Sequence, residues 1–108
     1  MTIPFPPRQR ALREQLSVLF KNHYMARMRL PLSGRARHRG ATEILDAMAG
    51  CRDTLRAIQE CALELGGLAD IDESSLVVML RVGQLKREVQ VELDMAQLIV
   101  NQSSDGAF

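Results

Sequence analysis

Aromatic side chains are scarce in this chain, with four among 108 residues and no tryptophan. Phe5, Phe20 and Tyr24 lie near the start and Phe108 ends the chain, so residues 41–107 contain none. The core of that stretch must therefore be Leu, Ile, Val, Met and Ala, the usual filling of helix–helix contacts. Proline is equally restricted. Pro4, Pro6, Pro7 and Pro31 are the only four, and their absence beyond residue 31 permits long uninterrupted helices.

Cys51 and Cys61 are the only cysteines, too few for a disulfide scaffold and at no metal or redox spacing. On one helix they would lie about 15 Å apart along the axis, out of bridging range. They read as reduced core residues of a cytoplasmic protein. No apolar run approaches the ~20 residues of a membrane span. The opening MTIPFPPRQR lacks the apolar stretch and small-residue cleavage site of a secretory signal.

Catalytic and nucleotide-binding signatures are missing as well. There is no G-x-S-x-G, phosphate-binding loop or dinucleotide fingerprint, and no nucleophile–base pair is evident. Glu60/Glu64 and Glu88/Glu92 are i,i+4 carboxylate pairs, but a bundle metal site also needs Glu-x-x-His, and neither segment holds histidine. Asp70, Asp72 and Glu73 lack the glycine and closing Glu of a calcium loop. Helix capping by Asp72, Ser74 or Ser75 explains them better. No metal or cofactor is expected. His23 lies on an apolar stripe without ligand neighbours and reads as a core or interface histidine.

What the chain does have is a division of charge. Residues 1–40 carry nine basic side chains and one acid, whereas residues 41–108 carry five basic and twelve acidic ones. The net charge of +1 thus conceals a balance of +8 against −7. The densest cations are Arg35, Arg37, His38 and Arg39, on a Pro/Gly/Ser-rich connector, and Arg27 and Arg29 enlarge the patch. Guanidinium groups there suit phosphates of a nucleic acid or an acidic protein partner. They equally suit the acidic half of the same chain or of a second copy. Paired with Arg residues, the Glu60/Glu64 and Glu88/Glu92 repulsions would be relieved.

Three helical segments follow from the punctuation. A basic arm, residues 1–40, holds one amphipathic helix from about Pro7 to Arg29 or Leu30, with Leu12, Leu16, Leu19, His23, Ala26 and Leu30 in line. A second helix starts with Thr42 as N-cap and ends at Gly66-Gly67, where a left-handed glycine would stop it. Its Ile44, Met48, Cys51, Leu55, Ile58, Ala62 and Leu65 alternate by four and three, an a/d seam. A third runs from about Ser75 to Asn101, with Val78, Val82, Leu85, Val89, Leu93, Ala96 and Val100 within about 80° on a helical wheel. The competing reading is a β-hairpin at about 76–94, because Val89, Val91 and Leu93 alternate with polar residues.

The sequence predicts an all-α fold, an antiparallel helical hairpin over 41–101 with a basic N-terminal helix, followed by a tail at 102–108. The alternative is α+β. Leu76, Leu80, Val91, Leu98 and Ile99 fall off the main stripe, so a three-helix or dimeric bundle is needed to cover them. The expected function is that of a non-enzymatic interaction or adaptor protein, self-associating as a homo-oligomer through the two seams. A nucleic-acid-associated regulator is the alternative, and a small helical enzyme without a local motif the second.

Overall fold

The computed structural model describes residues 7–32, 40–68 and 71–104. They form three helices: α1 (Pro7–Arg27), α2 (Ala41–Gly66) and α3 (Glu73–Ser104). The fold is all-α, and the β-hairpin alternative is ruled out because residues 76–94 lie wholly inside α3. The alternating Val89-Val91-Leu93 pattern arises because this helix is apolar on two faces, so that strand and helix periods overlap locally. Helical spacing holds over many more residues, and it prevails.

Three cross-contacts set the topology. Arg8 meets Glu64, the Cys61 thiol meets the Leu12 carbonyl, and His23 meets Thr54, so α1 and α2 are antiparallel. The short connector at 67–72 returns α3 antiparallel to α2. Gln9 reaches Ser75 and Arg27 reaches Glu92, so α1 and α3 run parallel. The result is an up-down-up bundle with α2 touching both neighbours. At 32 residues α3 is the longest element, about 48 Å.

One apolar cluster unites all three helices. Leu12 and Leu16 of α1, and Leu30 just beyond it, join Met48, Cys51, Ile58 and Leu65 of α2 and Val89 and Ala96 of α3. The boundary at residue 40 therefore does not divide the core, since the basic helix is one of its walls. Val82, Leu85 and Leu93 are buried with them, while Leu55 and Val78 are half-buried against the cluster. Both cysteines are buried and neither is in a disulfide, as their spacing implied. Burial pushes the Cys61 thiol up from its ordinary range, and the nearby Glu64 carboxylate adds to this.

The helix ends depart in detail from expectation. Residue 40, not Thr42, caps α2: Gly40 is extended, with no side-chain cap bond, and Thr42 lies exposed inside the helix. At the other end Gly67 has φ −84°, an ordinary right-handed value, so no left-handed glycine stops the helix. Its N–H instead donates to the Leu63 and Glu64 carbonyls. Gly66 matters through space, because a Cβ there would lie 2.8 Å from the Met79 methyl carbon of α3. The first helix ends at Arg27, two or three residues early, in turns that carry Leu30 back into the core. The third continues past Asn101 into the expected tail.

Candidate functional site

The α1–α3 seam carries several polar contacts between helices. At its start the Gln9 amide is buried, and its Oε1 accepts from the Asp72 N–H (2.9 Å) and the Ser75 hydroxyl (2.8 Å). Asp72 Oδ1 in turn accepts from the Ser75 N–H at 2.8 Å, which makes Asp72 the N-cap of α3. The bond from the Ser75 N–H is the largest reason that the Asp72 carboxyl is held below its ordinary range. Arg13 lies 3.4 Å from the other Asp72 oxygen. Capping at this knot was legible; the part played by Gln9 was not, since a glutamine in a basic helix has no signature before its partner is known.

Midway, Arg27 forks onto Glu92, with Nε to Oε1 at 2.9 Å and Nη2 to Oε2 at 2.6 Å. Its Nη1 lies 3.5 Å from Glu88, which also accepts from Arg81 at 3.3 Å. The Glu88/Glu92 repulsion is thus neutralised from the opposite helix. The pair is mostly shielded, with side chains 17% and 15% exposed. The hydrogen bond to Glu92 is the largest reason that the Arg27 guanidinium is held above its ordinary pKa. Arg8 likewise pairs with Glu64 across α1 and α2, at 2.7 Å but in solvent. These contacts realise the internal use of the charge division.

Between these points a cavity of about 370 Å³ opens, lined by Phe20, His23, Tyr24, Arg27, Arg81 and Leu85. His23 is buried, and its Nδ1 lies 2.8 Å from Thr54 Oγ1. That hydroxyl points its single proton at the Gly50 and Cys51 carbonyls, at 3.0 and 3.1 Å. The oxygen must then accept from Nδ1–H, leaving Nε2 as a buried lone pair without a partner among the described residues. Burial, and then the positive charge of Arg27, lower the His23 pKa against the opposing pull of Glu92. His23 is therefore a neutral core histidine tied to α2.

The remaining sequence-predicted residues divide into three groups. Arg35, Arg37, His38 and Arg39 lie outside the described residues. Arg29 is exposed just beyond α1, and Arg27 belongs to the intrachain network. Ile44, Met48, Cys51, Ile58 and Leu65 of one seam, with Val82, Leu85, Val89 and Leu93 of the other, are buried inside a single chain. The seams are occupied by the core.

A different apolar surface is left in solvent. Val77, Leu80, Val91, Met95 and Leu98 of α3 are between 48% and 70% exposed. At 100° per residue they fall within about 60° of one another, centred about 160° from the buried stripe. A second, open groove of about 590 Å³ lies between α2 and α3, lined by Leu63, Gly66, Met79, Val82 and Gly83 among others. No group of three or more metal-ligating side chains occurs among the described residues, and no helix there is long and apolar enough to cross a membrane.

The chain matches no family model, no curated protein and no solved structure.

Proposed function

We propose that this protein is a non-enzymatic interaction module that self-associates, and that the outer face of α3 is its contact surface. The observation that carries the reading is a helix with apolar stripes on opposite faces. One stripe is consumed by the core, and the other lies in water as two patches, Val77 with Leu80 and Val91 with Met95 and Leu98, about 16 Å apart across Gln84, Arg87 and Glu88. Exposed apolar patches rimmed by polar residues mark an interaction surface more often than an inert one. The surrounding cations and anions are largely paired within the chain, which leaves apolar burial as the driving term.

Sedimentation across a wide concentration range tests the reading. The parent chain should associate and should tolerate added salt. Leu80→Asp and Val91→Asp should abolish association while circular dichroism keeps the helical signal, because both side chains face solvent in the single chain. Leu85→Asp should instead unfold the bundle. A parent chain that stays monomeric at every concentration would overturn the proposal.

A second reading keeps Arg35, Arg37 and Arg39 as a nucleic-acid contact, favoured by their density on one short connector. Binding should then weaken steeply with salt and weaken further in the triple Arg→Ala chain. Indifference to both changes would dismiss it.

A further inference from the structure

Independently of self-association, we infer that the cavity between α1 and α3 binds a small, flat, uncharged aromatic molecule that carries one N–H or O–H donor, and that this donor is received by His23 Nε2. The first ground is the lone pair on that nitrogen. His23 is only 2% exposed, and its Nδ1 is tied to Thr54 of α2 at 2.8 Å. The two nitrogens of an imidazole point outward from opposite sides of the ring. Nε2 therefore turns away from α2, toward the side on which His23 lines the cavity with Arg81 and Leu85 of α3. It has no hydrogen-bond partner among the described residues. An acceptor shielded from water and left unbonded is costly, and a group that donates to it recovers the loss.

The second ground is what the walls are made of. Phe20 and Tyr24 are the only Phe, Tyr or Trp side chains among the described residues, and both line this one cavity. With Leu85 they offer flat, apolar surface on which an aromatic ring can stack. The volume of about 370 Å³ lies within the ~300–1,000 Å³ of small-molecule sites and accommodates two fused rings. Tyr24, at the mouth, is 61% exposed and can turn without unpacking the core. Its rotation gives a ligand passage to the shielded nitrogen.

The third ground is charge, which excludes an anion as the preferred ligand. Arg27 and Arg81 both line the cavity, but each already reaches Glu88, at 3.5 and 3.3 Å, and Arg27 also forks onto Glu92. Two cations and two carboxylates cancel, so no net positive field remains to draw in a carboxylate or phosphate. The guanidinium planes still offer a face to an uncharged ring. A neutral molecule with a single donor thus matches every wall of the site.

Indole and benzofuran test this as a pair, because they share size and shape while benzofuran has a ring oxygen in place of the indole N–H. Titration calorimetry on the full chain at about pH 8, where an imidazole is neutral, should show indole saturating one site per chain. Benzofuran should bind roughly tenfold more weakly. Nitrogen NMR of the labelled histidine rings should show the His23 Nε2 signal shift with indole and stay in place with benzofuran. In His23→Asn the amide keeps a donor near the position of Nδ1 for Thr54 and puts no atom at Nε2. That variant should keep its helical signal by circular dichroism and bind the two probes alike. If it fails to fold, the two-probe comparison and the Nε2 signal of the parent chain still decide. Equal affinities in the parent, an indole preference that survives in folded His23→Asn, or no saturable binding of indole would each overturn the site. Benzoate binding more tightly than indole would overturn the choice of an uncharged ligand.

Discussion

Removing the Arg27–Glu92 pair should cost far more than removing Arg8–Glu64, although both bring charged groups equally close. The two contacts measure 2.6 and 2.7 Å, but the first has side chains 17% and 15% exposed and the second 59% and 57%. Two charges ~4 Å apart attract by about 4 kcal/mol at an effective dielectric of 20 and by about 1 kcal/mol in water. Breaking a fully buried pair costs about 3–5 kcal/mol, and an exposed pair is worth about 0.2–1 kcal/mol. The Arg27–Glu92 site lies between these limits, so Arg27→Ala or Glu92→Ala should each lose about 2 kcal/mol. Arg27→Ala should lose slightly more, because it also uncovers the Glu88/Glu92 repulsion. A double-mutant cycle by urea unfolding, at one fixed protein concentration, should give a coupling of about 1.5 kcal/mol. The same cycle on Arg8 and Glu64 should give below about 0.5 kcal/mol and should fade in high salt, whereas the first persists. Equal couplings, or equal salt sensitivity, would refute the argument that shielding separates these pairs.

Replacing Gln9 with Ala strands the buried Ser75 hydroxyl and the Asp72 N–H, and should cost about 1–3 kcal/mol in urea unfolding; a loss near zero would mean that water replaces the amide. His23, whose pKa is depressed by burial and by Arg27, takes up its proton more readily unfolded than folded, so stability should hold above about pH 6.5 and fall as pH drops below it. His23→Leu should flatten that part of the stability–pH profile, and an unchanged slope would assign it elsewhere. Gly50→Ala places a methyl where no atom lies within 4 Å and should raise the melting temperature, gaining about 0.5–1 kcal/mol; a lower melting temperature would show that something occupies that space.

The helices were legible because their punctuation and their apolar period agreed. Pro7, Pro31 and the Gly66-Gly67 pair bracket the elements to within a few residues, and the 44–65 and 78–100 stripes named nearly the whole α2 and α3 core. What covers those stripes was harder to read. A seam on a wheel looks alike whether its partner is the same chain or another, and only the fold reveals α1 lying across it through Leu12 and Leu16. The off-stripe residues Leu80, Val91 and Leu98 signalled the outer face correctly, while Ile99 proved half-buried against the core. Gln9 stayed hidden because its role depends on Ser75, 66 residues away, and no local spacing carries that information.

The parallel placement of α1 and α3 gives the charge division a direction in time. A chain made from its N-terminus exposes the cations of α1 long before their partners exist. Once residue 66 has emerged, α1 and α2 can close around Leu12, Leu16 and Ile58, and Arg8 can find Glu64. Arg27 must wait until Glu88 and Glu92 are made, and Gln9 and Arg13 until Asp72. When α2 is complete, residues 1–66 carry eleven basic and six acidic side chains, a balance of +5. Residues 67–108 add three basic and seven acidic ones, so the excess falls to +1 only as the remainder of the chain is made.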